Sequence, residues 1–370
     1  MSRRSRDRRR GSSRPERENS VERETPGSAE PVSRREFKAV LAVNVTTALA
    51  AVGASIVAYL GVDASRAQIR QERNNRTTEE YRAAVADLQA PGVTQRVSGV
   101  LTLRDLASQS RRRKKILPLL CDHVRQRAPV GGEHRDQPDA DVSDAVQFLG
   151  SPPFSLGFDQ HESQGEGVPV VNLSGTDLTG VNLRLKQFDG AVFQGATLTN
   201  GDLRRASLRG ADFSGATLRG AELQVSILTD ARFVGAHLER SDFTGSPMEG
   251  AALGGAHLSR ALLGGVRLDR AGLAGTDLTR ADLEGAHMVD VHAAGATFRG
   301  AYMSGANLTR AELTGADLTG ADLNQVVLAG TNLFEAKGLK LDQINSAILI
   351  DYTTRLPRGF RWTGRKVVKT

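Results

Sequence analysis

From Val171 to about Glu335 a large apolar residue recurs at every fifth position, through 33 consecutive units and without an insertion. Counted from Leu173, that central position is Leu or Phe in 29 units, Met at Met248, Met288 and Met303, and Ala only at Ala293. A small residue, usually Ala, stands two places earlier, as at Ala211, Ala221 and Ala321. Asp, Asn or Glu often precedes the central residue (Asp212, Asp282, Asp322), and Gly closes 20 of the 33 units, as at Gly215, Gly285 and Gly320. The written form is A-D-L-x-G.

A period of five matches neither the helical 3.6 nor the strand period of 2, so neither an amphipathic helix nor a hairpin sheet buries this pattern. A coil of stacked short segments does. One large and one small inward residue per unit, followed by a Gly that accepts φ > 0, describes a straight edge and then a corner. Each coil needs its neighbours to bury its apolar residues, which makes a quasi-one-dimensional solenoid. Units such as Ala281-Asp282-Leu283-Glu284-Gly285 and Ala316-Asp317-Leu318-Thr319-Gly320 resemble the pentapeptide-repeat family, and the resemblance covers about 165 of 370 residues.

That resemblance implies a right-handed, four-sided β-solenoid with 20 residues per coil and about eight coils. At the strand spacing it forms a rod on the order of 40 Å long. Residues 20 apart then stack, which places Phe193, Phe213 and Phe233 in one inner column, followed by Leu253 and Leu273. Ala293 continues this column and predicts a local void or a pinched coil.

Composition divides the rest of the chain. Residues 1–38 carry 12 Arg or Lys and 7 Asp or Glu with almost nothing apolar, the composition of a disordered basic tail. Residues 39–62 hold no charge over 24 positions, enough for a single transmembrane helix, although Asn44, Thr46, Thr47, Gly53 and Ser55 dilute it. Residues 63–127 read as a helical segment. Its apolar positions recur at helical spacing up to the stop at Pro91-Gly92, and resume over Val93 to Gln109 and Ile116 to Val124. The phrase Arg96-Val97-Ser98-Gly99-Val100-Leu101 resembles the HEAT-like element that precedes the repeats in membrane-associated bacterial members of the family. Residues 128–170 read as a linker with one short helix between Pro138 and Pro152, residues 171–335 as the solenoid, and residues 336–370 as a C-terminal cap. A cap is required to cover the open last coil, and the spacing predicts a helix over Asp342 to Ile348 with Trp362 nearby.

Ser33-Arg34-Arg35-Glu36-Phe37-Lys38 resembles a twin-arginine export signal without its usual apolar residue after Phe37, so an exported, cleaved solenoid is one alternative. Arg34, Arg35 and Lys38 serve equally as the cytoplasmic anchor of an uncleaved helix. Both readings leave the basic tail in the cytoplasm and put the solenoid outside. Cys121 is the lone cysteine, which excludes an intramolecular disulfide.

The net charge of +7 arises outside the repeats, because residues 171–334 hold 14 Arg or Lys against 17 Asp or Glu. Some members of the family resemble duplex DNA in shape and negative charge and protect topoisomerases, a second alternative. The many outward arginines of these repeats fit it poorly. The five-residue basic run Arg111–Lys115 has no aromatic interleaving and reads as a solvated turn, so the sequence argues against a nucleic-acid partner.

No nucleophile elbow, metal-ligand cluster, phosphate loop or dinucleotide fingerprint occurs, and the sequence predicts a non-enzymatic chain with no catalytic residue, cofactor, metal or small-molecule substrate. The register places His237, His257 and Asp277 in one outer column and Arg240, Arg260 and Arg280 in the adjoining one. His237, Arg240, His257, Arg260 and Arg280 are therefore the candidate partner-binding residues, on a membrane-anchored scaffold whose partner is another protein or an anionic surface.

Overall fold

The structure is a computed structural model, and it describes residues 34–108, 110–132, 135–152, 154 and 170–370. The basic tail, apart from its last five residues, and the stretch 155–169 lie outside the described residues. The chain divides into two units, residues 1–72 and 73–370.

Helix α1 runs over Arg34–Leu88, 55 residues without a break at the expected end of the apolar segment near Val62. Neither Gly nor Pro interrupts it between Asp63 and Leu88. Successive i,i+4 contacts such as Gln68–Glu72 (3.0 Å) and Arg76–Glu80 (3.0 Å) support the polar half. Its apolar part is long and apolar enough to cross a membrane by length and composition, and Leu41, Leu49, Ile56 and Leu60 there are exposed.

In the second unit α1 ends at Leu88, and α2 (Val93–Ala107), α3 (Ser110–Arg127) and α4 (Ala140–Leu149) follow. Gly99 lets α2 approach the last turns of α1: a Cβ there would sit 2.8 Å from the Ala84 carbonyl oxygen. The basic run is not a turn. Arg111–Lys115 occupies the first turns of α3, where Arg112 donates to the Thr77 carbonyl (2.8 Å) and to the Thr77 and Thr78 hydroxyls (3.0 and 3.1 Å). Its guanidinium lies 5.8 Å from the Tyr81 ring centre, a cation–π distance. Buried Arg96, on α2, holds Asp141 of α4 through two hydrogen bonds of 2.7 and 3.2 Å, and His123 of α3 bonds the same carboxylate at 2.9 Å. Burial alone would raise the Asp141 pKa, but the hydrogen bonds from His123 and Arg96 outweigh it and hold the carboxyl well below the usual range.

From residue 171 onward each unit makes one short bridge segment and one turn, and parallel bridges join residues 20 apart, as in Asp202↔Glu222 and His237↔His257. Four units therefore complete a coil. Within a unit the central N–H donates to the next coil (Leu203 to Glu222 O, 2.7 Å) and the preceding N–H to the previous coil (Asp202 to Val181 O, 2.9 Å). A third bond closes the corner (Ala206 to Leu203 O, 3.1 Å). The corner residue has φ > 0 in all 33 units: 20 are Gly, and 13, among them Arg205, Arg240, Arg260, Arg270, Arg280 and Arg310, are not. This is the second central position of the turn, where a type II geometry demands a left-handed residue.

The interior is closed. The central residues are all buried, as are the residues two places earlier except half-buried Val171 and Lys186 in the first coil, and where Ser or Thr replaces Ala its hydroxyl donates to a carbonyl, as Ser226 does to Leu203 O (2.6 Å) and Thr276 to Leu253 O (2.8 Å). The aromatic column is present, with Phe193, Phe213 and Phe233 stacked nearly parallel. Around Ala293 the coil also carries Val291 where Ala is usual, and Phe298 in a column otherwise made of Leu, all fully buried. Val291 and Phe298 thus bring extra methyls and a ring to the coil that carries the small Ala293.

Both ends are covered. Residues 128–130 pair antiparallel with the first coil, with Val130 N–H to Gly175 O at 3.0 Å and Asp177 N–H to Ala128 O at 2.7 Å. Gly150 O accepts from Gln187 N–H (2.9 Å), and Arg125 donates to Asn172 O (2.8 Å). Part of the stretch read as a linker thus satisfies backbone groups that an open first coil would leave unpaired. At the other end α5 (Leu341–Asn345) is shorter than predicted, with Ser346 as its C-cap, and the ladder continues through Val327↔Leu349 and Asn332↔Arg355. Antiparallel β1 (Phe360–Trp362) and β2 (Val367–Lys369) complete the cap.

Candidate functional site

One face of the solenoid is built from the units centred on Leu198, Leu218, Leu238, Leu258, Leu278 and Phe298. The central side chains point inward and are buried, so function on this face rests with the residues before and after them. The parallel bridges His237↔His257↔Asp277 place these three in one column. The imidazoles of His237 and His257 stack with centroids 4.8 Å apart and planes 9° from parallel.

Arg240, Arg260 and Arg280 occupy three successive corners of the same face, with φ of 62°, 60° and 57°. Their backbone N–H groups donate to the next coil, to Ser259 O, Thr279 O and Arg299 O, so the left-handed corner is held by the ladder whatever the side chain. All three side chains are exposed. Gly300 continues the column, and the Arg280 stem passes 3.6 Å from where a Cβ of residue 300 would stand. The Arg280 stem therefore leans along the solenoid axis toward the next corner.

These residues border an open hollow of about 740 Å³, lined by Arg219, Glu239, Arg240, Ser259, Arg260 and Arg280 among others. His237 and His257 are not among its lining residues and stand beside it. Sequence reasoning missed Arg219, Glu239 and Ser259. Arg219 and Glu239 are also 20 apart and form a bidentate pair of 3.0 and 3.1 Å, which the same register arithmetic would have found. The hydrogen bond from Arg219 raises no barrier to ionisation: burial opposes the Glu239 charge, but Arg219 and His237 keep its carboxyl low.

The arginines of the solenoid differ in their pairing. Arg204, Arg219, Arg232, Arg267, Arg299 and Arg310 each reach a carboxylate. Arg240, Arg260 and Arg280 make no ion pair among the described residues. Three like charges thus stack at successive coils without an ion pair.

Among the described residues no group of three or more His, Cys, Asp or Glu is placed to hold a metal ion. Cys121 is buried in the helical part and its thiol is pushed up to about 11 by that burial, which leaves it un-ionised at neutral pH.

The sequence profile of pentapeptide repeats matches the chain in eight copies between residues 172 and 337. HetL, a pentapeptide repeat protein involved in heterocyst differentiation regulation from the cyanobacterium Nostoc sp. strain PCC 7120, is 32% identical over 48% of this chain and 84% of its own, with a TM-score of 0.30. QnrB1, a plasmid-mediated fluoroquinolone resistance protein, is 18% identical over 48% of this chain and 92% of its own, with a TM-score of 0.35. A pentapeptide repeat protein of the Arabidopsis thaliana thylakoid lumen is 28% identical over 26% of this chain and 68% of its own, with a TM-score of 0.17. No curated protein sequence matches. The unbroken five-residue units, their 20-residue ladder and these sequence matches agree: the chain belongs to the pentapeptide-repeat family.

Proposed function

We propose that the protein is a non-enzymatic, membrane-anchored interaction scaffold, in which the apolar part of α1 holds the chain in the membrane and a right-handed solenoid presents a docking face outside the cytoplasm. The observation that carries this reading is the contrast between the two sides of the coil wall. Inward positions are filled, so the solenoid interior has no room for a substrate. Outward, three arginines stand unpaired beside an open hollow. Such an arrangement serves association and leaves chemistry to a partner.

A role like that of QnrB1 in fluoroquinolone resistance receives no support from an 18% identity, which speaks to the fold alone. The cationic column also runs against a DNA-like surface, which is negative along its length.

The test is made in cells with a photo-crosslinking residue at Ser259. A specific adduct, lost when the residue is moved to the opposite face at Thr309, together with retention in the carbonate-washed membrane fraction that depends on residues 39–62, is the expected result. A soluble protein, or one that forms no adduct from Ser259, would overturn the reading.

A further inference from the structure

We propose that the occupant of the Arg240–Arg260–Arg280 column is a short acidic segment of a partner protein, a deepening that rests on the scaffold reading. Charge is the first argument. Three arginines stand at successive corners, their backbones roughly the strand spacing of about 4.8 Å apart, and none of them makes an ion pair among the described residues. The hollow they line holds two carboxylates against four arginines, and one of the two, Glu239, is already taken by Arg219. Carboxylates arriving from outside balance that excess.

Extent is the second argument, and it selects among anions. The unpaired column ends after three coils. At one end the Arg219–Glu239 pair closes it, and at the other Arg299 is drawn to Asp317 at 3.7 Å. Carboxylates also border it: Asp277 lines the hollow itself, and Asp242, Asp282 and Glu284 occupy the face beyond the corner. A polyanion running on past the patch, or an anionic membrane wider than it, would set its remaining charge against these groups. An acidic peptide of a few residues ends where the cations end.

Hydroxyls add a third element. Elsewhere in the solenoid the residue after the central position spends its hydroxyl on the carboxylate or amide two places earlier, as Thr319 does on Asp317 (2.5 Å) and Thr309 on Asn307 (2.6 Å). Ser259 follows His257 and lacks that acceptor, so its hydroxyl is free to meet a ligand oxygen beside Arg260.

The experiment uses the full chain in nanodiscs of neutral lipid and a fluorescein-labelled peptide of alternating Glu and Ala. The peptide is expected to bind in a salt-dependent manner and to weaken by about tenfold when Arg240→Gln, Arg260→Gln and Arg280→Gln are combined, while Arg184→Gln with Arg209→Gln leaves binding unchanged. The same three positions changed to Gly, the residue that suits the corner, provide a second variant whose fold is secure. Equal binding of a Gln–Ala peptide, or unaltered binding by both triple variants, would overturn the proposal. So would tighter binding of tripolyphosphate or of phosphatidylserine vesicles through the same arginines, which would assign the column to phosphate or to lipid. If these outcomes occur while the Ser259 adduct persists in cells, the acidic-segment proposal fails and the scaffold reading stands.

Discussion

The rings of Phe193 and Phe213 lie 4.8 Å apart and 3° from parallel although 20 residues separate them. Phe233 extends the stack at 5.1 Å, and Phe188 and Phe243 meet its two ends edge-on. Removing the middle ring opens a cavity between coils that have no other neighbours, so Phe213→Ala is expected to cost about 3–5 kcal/mol. Because each coil contacts only the coils beside it, hydrogen exchange should accelerate around Phe193 and Phe233 and stay unchanged near Leu313. A uniform rise along the solenoid would contradict that local coupling.

The same register made most of the solenoid legible. The strict period of five, taken with the four units per coil that the family resemblance implies, gives the Phe column, the His237–His257 column and the three corner arginines by arithmetic. What escaped had no period. The pairing of Ala128 and Val130 with the first coil joins a Gly- and Pro-bearing stretch to residues some 45 positions on, and composition alone reads such a stretch as a linker. Arg112 was equally opaque, because its partners Thr77 and Thr78 are 35 and 34 residues away. Corner residues other than Gly also gave no warning: Arg260 in a sequence does not announce a φ of 60°.

Ala293 tests whether a coil conserves volume as a whole. Val291 and Phe298 already supply methyls and a ring to its coil, so Ala293→Leu should overpack it and lower stability by about 1–3 kcal/mol. Adding Val291→Ala should recover most of the loss. Thermal unfolding of the two variants checks this, and a stabilised Ala293→Leu would restore the void predicted from the column alone.

Arg260 stands in a left-handed corner that the ladder imposes. A side chain there is disfavoured by about 1 kcal/mol relative to Gly, and its neighbours Arg240 and Arg280 add like-charge repulsion. Arg260→Gly is therefore expected to raise the denaturation midpoint. A lowered midpoint would mean that the Arg260 side chain makes stabilising contacts of its own.

Asp141 sets an acid limit for the helical part. Its carboxyl is held low in the folded state by His123 and Arg96 against the effect of burial. A depressed group contributes stability that is present above its unfolded value of about 3.9 and is lost as pH falls toward the folded one. Stability should decline in acid below about pH 4. Asp141→Asn leaves buried Arg96 with only the longer 3.7 Å contact to Asp139 as a charge partner, and should cost about 3 kcal/mol at neutral pH. Its acid slope should be shallower, though not flat, because Asp202, Asp212 and Asp317 in the solenoid are also depressed. Urea denaturation at neutral and acid pH, followed by helical circular dichroism, separates the two; parallel slopes would remove Asp141 from the account.

The anchored, outward-facing solenoid is tested most directly by thiol labelling of intact cells with a membrane-impermeant maleimide. Cys121→Ser removes the native thiol, which is buried in any case, and Arg260→Cys places a new one on the exposed corner. Labelling in intact cells, with the labelled protein remaining in the membrane fraction, is the predicted result. Labelling that appears only after lysis, or a labelled protein free of the membrane, would contradict it.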